Sequence, residues 1–204
     1  MAQEQQLFSL SYVEPKIFVL SGLSGSGKDS VLKELKKRNL AIYYVITATT
    51  REMRPGEVQG VDYYFVSIPE FEEMIARDEL IEYAVVYEQY KGIPKAQITQ
   101  ALSSNQDVVV RVDVQGAAKI KSLFPNAILI FLIPASEDEW RMRLLNREGD
   151  SQEQLKVRSE TAKNELSRLK EFDYLVVNPQ DKLSDAVDDI VAIIDAEKHR
   201  ISKG

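Results

Sequence analysis

The sequence predicts an α/β fold built on a parallel sheet flanked by helices. Three observations predict it. Short β-branched, apolar runs recur along the chain at Ile17–Leu20, Val108–Val114 and Ala127–Ile133. Amphipathic stretches lie between or after them. The first run ends in a glycine-rich turn that opens directly into helical spacing. Strands buried on both faces read as continuous apolar runs, and their alternation with helices marks parallel connectivity.

The elements follow in order. Ile17–Leu20 is the first strand. Val31, Leu32 and Leu35 then fall on one helical face, with Lys33, Glu34, Lys36 and Lys37 on the other. Ala41–Ile46 is strand-like, Val108–Val114 and Ala127–Ile133 are buried strands, and Tyr174–Val177 is a last short one. Helices are expected over Gly116–Leu123, from Ser136 onward, and across Ala186, Val187, Ile190, Val191 and Ile194. Ser136 and Glu139 have capping-box spacing. Two segments break the alternation. Residues 47–98, rich in Tyr, Arg, Glu and Gly, suggest an α+β insertion; residues 137–170, charged and helical, suggest a mobile lid. The expected organisation is thus one domain over 1–204, with a core of 1–46, 99–136 and 171–204.

Composition removes several chemistries. The chain of 204 residues has no Cys, which excludes disulfides, thiolate nucleophiles and Cys-based metal sites and fits a cytoplasmic protein. Its single histidine, His199, sits near the C-terminus among Lys198, Arg200 and Lys203 and reads as a solvated end residue, so histidine-centred catalysis is not expected. A net charge of −6 gives no basic surface for nucleic acid. No apolar run approaches the ~20 residues of a membrane helix. Met1–Gln6 is polar and predicts no signal peptide.

The turn after the first strand carries the chemistry. Gly22-Leu23-Ser24-Gly25-Ser26-Gly27-Lys28 matches G-x-x-x-x-G-K, the phosphate-binding loop. Glycines let successive N–H groups face one anion, the helix N-terminus adds its positive end, and Lys28 adds a full charge. This makes the expected fold a P-loop NTPase type, with residues 22–30 and Lys28 on ATP. The pattern usually continues with Ser or Thr, whose hydroxyl meets Mg²⁺. Asp29 stands there and Ser30 follows. Asp29 either offers its carboxylate to the metal, directly or through water, or serves as the acid favoured in a helix's first turn.

The second substrate is written further on. Thr47 through Phe65 reads T-A-T-T-R-E-M-R-P-G-E-V-Q-G-V-D-Y-Y-F. Arg51, Arg54 and the phenol of Tyr63 can grip a phosphate monoester, the guanidinium groups bidentately. This block closely resembles the signature of the guanylate kinase family, T-T-R-x-x-R-x-G-E-x-x-G-x-D-Y-x-F, and the resemblance extends over roughly residues 16–195. It implies a nucleoside monophosphate kinase taking ATP and GMP, with Mg²⁺ as cofactor, residues 47–98 as the GMP-binding insertion and 137–170 as the lid. Use of dGMP and the oligomeric state are left open.

The resemblance also assigns residues. Glu79-Leu80-Ile81-Glu82-Tyr83-Ala84 resembles E-F-[IL]-E-[WY]-A, which puts Glu82 on guanine N1–H and the exocyclic amine. Thr47 matches the position of a guanine-bonding serine. Val112-Asp113-Val114-Gln115-Gly116-Ala117 matches I-D-V-Q-G-A. Asp113 would orient metal-bound water or Arg51, or simply cap the next helix. Arg147 and Arg158, with Arg143 as a further member, resemble lid arginines that neutralise the transferring phosphoryl group. Asn178, in Val177-Asn178, resembles an adenine-side contact.

The sequence also departs from that family. Tyr90 matches the first tyrosine of N-Y-Y-G-[ST], but Lys91 replaces the second and Ile93 replaces the hydroxyl residue. Lys91 could still meet the acceptor phosphate as a point charge. Arg111 replaces a common acid two before Asp113, Glu148 a glycine, and Pro179 and Gln180 an acid after Asn178. Two rivals share some features. Ribose bisphosphate kinases resemble the Lys28-Asp29-Ser30 turn, but the Thr49–Phe65 block and Glu82 speak against them. Scaffold modules resembling the same family typically lack the loop lysine, which is present here.

Overall fold

A computed structural model of the chain describes residues 14–86, 89–145 and 152–201. The first strand, β1 (Ile17–Gly22), lies at the centre of a five-stranded sheet and leads through the glycine-rich turn into α1 (Lys28–Lys36). The other strands are β2 (Ile42–Tyr44), β7 (Asp107–Arg111), β8 (Ile128–Ile133) and β9 (Tyr174–Val177). Their order is β2-β7-β1-β8-β9, with every pairing parallel. Helix α4 (Val114–Leu123) follows β7, and α7 (Leu183–Lys198) closes the described chain's regular structure.

Residues of β1 alternate between two cores. Phe18 and Leu20 pack with Val31, Leu35, Val187 and Ile190 of α1 and α7. Ile17 and Val19 pack on the opposite side with Ile98, Ala117 and Ile120. This two-faced burial explains the unbroken apolar runs and holds the strand ends, where the chemistry lies, on a rigid frame.

Between β2 and β7 the chain builds a second sheet. It contains β3 (Ala48–Thr49), β4 (Tyr64–Phe65), β5 (Leu80–Val86) and β6 (Gln89–Pro94), in the order β4-β3-β6-β5. β3 pairs parallel with β4, while β6 is antiparallel to β3 and β5. Helix α2 (Ile68–Ala76) packs on it through Phe71, capped by Ser67 and Glu70 in a reciprocal capping box. Helix α3 (Lys95–Ser103) returns the chain to the first sheet. A bulge between Leu80 and Glu82 shifts β5 so that Leu80 and Ile81 are both buried and Glu82 is aimed elsewhere.

After β8 come α5 (Glu137–Leu145) and α6 (Gln152–Ser167), then a 3-10 turn at Leu169–Glu171. Ser136 accepts from the N–H of Glu139, but the Glu139 carboxylate pairs with Arg143 instead of completing the box. Among the described residues no helix is long and apolar enough to cross a membrane.

Sequence and structure differ at the junction of β7 and α4. The strand expected to reach Val114 stops at Arg111, and the helix expected from Gly116 begins at Val114. The reason is Asp113, whose carboxylate caps α4 by accepting from the N–H groups of Gln115 and Gly116 at 2.9 and 2.8 Å. His199 is exposed at the C-terminal end of α7, its Nδ1 2.7 Å from the Asp195 carbonyl, as an end residue should be.

Candidate active site

The glycine-rich turn lies at the C-terminal end of β1, the edge of a parallel sheet where open α/β folds bind ligands. Gly22 has φ +137°, and a Cβ there would fall 2.1 Å from the Leu132 carbonyl oxygen of β8. Only glycine lets the two strands approach so closely. The helix behind the turn is prepared for an anion. Its N-cap, Gly27, offers no side chain to the first N–H groups, whereas Ser67 and Asp113 cap α2 and α4. Those N–H groups have no intrahelical acceptor and carry the positive end of the helix dipole. Ser26 adds a buried hydroxyl with no protein partner among the described residues.

Lys28 donates to the carbonyls of Gly22 and Leu23, both at 2.8 Å, and so ties the base of the loop to the start of α1. Burial holds its ammonium below the ordinary lysine value. The carboxylates of Glu165 and Asp29 oppose that fall, while Arg111 adds to it and Asp113 resists it. Asp29 and Ser30 are exposed in the first turn of α1, and Asp29 pairs with Arg111 at 2.5 Å.

The loop is braced from outside. The Trp140 indole of α5 donates to the Ser24 carbonyl at 2.8 Å, and the buried Glu165 carboxylate of α6 accepts from the Ser24 N–H at 3.0 Å. The helices on either side of residues 146–151 thus clamp one residue of the loop, Ser24. Arg143 donates to the carbonyls of Ser26 and Asn178, and the buried Asn178 donates through Nδ2 to the Ser26 carbonyl at 2.9 Å. Both residues, assigned from sequence to the lid and to adenine, are engaged in holding the loop. Arg147 lies outside the described residues; Arg158 falls within α6, and its side chain is not described.

Across from the loop stands the acceptor cluster. Arg51 forms a fork with both oxygens of Glu57, at 2.9 and 2.8 Å, and its guanidinium carbon lies 5.1 Å from the centre of the Tyr63 ring. Glu57 also accepts from the main-chain N–H of Arg54, whose residue is exposed. Tyr63 is buried, which raises its phenol, while Arg111 and Arg51 pull it back. Arg51 therefore faces Glu57, not Asp113. Lys91 sits on β6 opposite Thr49, while the Tyr90 ring stacks on Phe71 at 5.0 Å in the apolar core of the second sheet. Ile93 is fully buried in the main core with Val112 and Ala117, so this departure from the family fills apolar space.

Glu82 and Thr47 complete the picture. The bulge in β5 carries the Glu82 carboxylate to the N-terminus of α4, where a Cβ on Gly116 would lie 2.8 Å from its Oε1. Glycine at 116 is the residue that leaves room for that carboxylate. Burial, with the nearby Asp113 carboxylate adding to it, pushes the Glu82 carboxyl up to about 7. Thr47 is buried at the start of β3.

Sequence reasoning missed Glu57, Trp140 and Glu165. Glu165 leaves a trace: Ala162, Glu165 and Leu169 form one helical stripe, and an acid on a buried stripe signals a specific partner. Glu57 stands in the Thr49–Phe65 block as the acid after Gly56, a signal left without a role, whereas Trp140 carries none.

A phosphate loop on a parallel sheet, facing a second sheet that presents an arginine–phenol cluster and a half-buried carboxylate, defines a P-loop phosphotransferase. The chain matches the guanylate kinase family over residues 14–197 and belongs to it. It is 47% identical to guanylate kinase 2, chloroplastic/mitochondrial, of Oryza sativa subsp. japonica over 191 residues, covering 93% of this chain and 67% of that one. It is 41% identical to the guanylate kinase of Carboxydothermus hydrogenoformans, covering 89% and 88%. The crystal structure of guanylate kinase from Anaplasma phagocytophilum superposes with a TM-score of 0.74 at 27% identity, covering 92% of this chain and 88% of that one. The reaction is that of the family: the γ-phosphoryl group of ATP passes to GMP, giving ADP and GDP.

Proposed function

We propose that residues 22–30 hold the ATP phosphates and that Arg51, Arg54, Tyr63 and Lys91 hold the GMP phosphate. Glu82 and Thr47 read the guanine. Residues 47–98 act as the acceptor-binding part and 137–170 as the lid, from which Arg147 and Arg158 reach the transferring group. The enzyme works in the cytoplasm, which suits a chain without cysteine.

Transfer is direct and in line, with no covalent intermediate. The attacking phosphate oxygen is already ionised at neutral pH, so no histidine is required, and positioning and charge carry the rate. Mg²⁺ arrives with ATP and, when bound, neutralises charge on its β- and γ-phosphates. The hard oxygens of Asp29, Ser30 and Asp113 suit that ion.

The observation that carries the reading is the half-buried Glu82 carboxylate beside Gly116 and Asp113. Guanine offers it two adjacent N–H donors, and only the ionised form accepts both. The unliganded carboxyl sits near 7. Below that pH it is protonated, so kcat/KM for GMP should fall as pH drops through about 7. A phosphate monoester also titrates, at about 6, so the control is Glu82→Gln, which keeps the phosphate step and loses the carboxyl step. A wild-type profile superimposable on the Gln variant's, after scaling, would remove Glu82 from base recognition.

A further inference from the structure

Arg111 ends β7 beside Leu20 of β1, two residues before the phosphate loop begins. Its side chain is only 11% exposed, although it is a cation. A buried guanidinium needs acceptors for its five N–H donors. Among the described residues it makes one hydrogen bond, Nη1 to Asp29 Oδ1 at 2.5 Å. Its guanidinium carbon lies 4.5 Å from the centre of the Tyr63 ring. Arg111 lines a cleft of about 380 Å³ together with Asp29, Gly56, Glu57, Asp62 and Tyr63.

Arg51 stands in a parallel situation. It also lies against Tyr63, at 5.1 Å, and is paired with an acid, Glu57. Two guanidinium groups therefore flank one phenol, and each rests on a carboxylate. An anion entering the cleft would meet Arg111 with Lys33 and Lys36 and be repelled by Asp29, Glu57 and Asp62, while Arg51 stands outside the lining, against the same Tyr63 ring.

We propose that Arg111 is a further phosphate-binding residue of the acceptor site, held in the unliganded protein by Asp29. The proposal rests on the acceptor site described under the proposed function. It places the cation between the phosphate loop and the acceptor cluster, where a buried positive charge stabilises an incoming phosphate dianion. Asp29, with 58% of its side chain exposed, is the anchor that the dianion replaces. An Arg111–Asp29 pair that merely joined β7 to α1 would behave differently, because removing either partner would then do the same damage.

The test is equilibrium binding without divalent metal. GMP and, separately, ADP are titrated calorimetrically into the full chain, as wild type, Arg111→Met, Arg111→Lys and Asp29→Asn. Arg111→Met should weaken GMP roughly tenfold or more, the loss expected for a charge-assisted hydrogen bond. ADP should change by less than about threefold, since its phosphates lie on the loop. Arg111→Lys should recover part of the GMP affinity as a point charge. Asp29→Asn should tighten GMP about two- to fivefold by removing a nearby like charge. Arg111→Met binding GMP as wild type does would overturn the proposal. So would equal weakening by the Met and Asn variants, or parallel loss of GMP and ADP. A wild type that fails to bind GMP would overturn the acceptor-site reading itself, and the proposal with it.

Discussion

Lys28→Ala is expected to lower kcat for GMP phosphorylation by roughly 10²–10³ or more, the effect of removing one preorganised stabiliser of transition-state charge. The side chain starts the first turn of α1 and lies over the carbonyls of Gly22 and Leu23. Burial lowers its proton affinity, but the Glu165 and Asp29 carboxylates favour the charged form. Phosphates bound in the loop would add to that pull and hold the ammonium charged where phosphoryl charge develops. Loss of the side chain leaves two loop carbonyls without this donor, and the packing of α1 through Val31, Leu32 and Leu35 is untouched. Far-UV circular dichroism should match wild type. A folded alanine variant turning over at the wild-type rate would remove Lys28 from the chemistry.

Glu82→Ala should collapse base selectivity. Each hydrogen bond to a charged group contributes about 1.5–3 kcal/mol. Two of them on guanine correspond to a GMP-over-AMP preference of roughly 10²–10⁴ in kcat/KM. Adenine lacks the paired donors, so wild-type binding of AMP would leave a partly desolvated carboxylate unpaired. The alanine variant removes that penalty, and the preference should shrink mainly through loss of GMP activity. Phosphate-loop function should persist, seen as unchanged ADP affinity. An unchanged GMP-over-AMP ratio would show that other groups read the base.

The α/β fold was legible because the central strands of the first sheet, β7, β1 and β8, are buried on both faces. Its apolar runs, such as Ile128–Ile133, need no tertiary knowledge to recognise. The second sheet was legible only as a break in that pattern. β3 and β4 are two residues each, and β5 carries a bulge, so neither alternation nor length marks them. Motif spacing picked out the loop, Arg51 and Tyr63, and the family resemblance added Glu82, because those residues lie in short local segments. It could not show how they are held. Glu165 reaches Ser24 across 141 residues, and Trp140 reaches it across 116. Such partners are set by helix packing, which leaves no local signature. Asn178 shows the same limit, since the adenine role inferred for it does not reveal that its amide braces Ser26.

Acceptor choice tests the central claim most directly. ADP formation from Mg-ATP would be measured with GMP, AMP, UMP, CMP and ribose 1,5-bisphosphate as separate acceptors. The site described here predicts strong turnover with GMP and at most about a hundredth of that kcat/KM with each of the others. Comparable turnover with AMP, or turnover with ribose 1,5-bisphosphate in place of GMP, would contradict it.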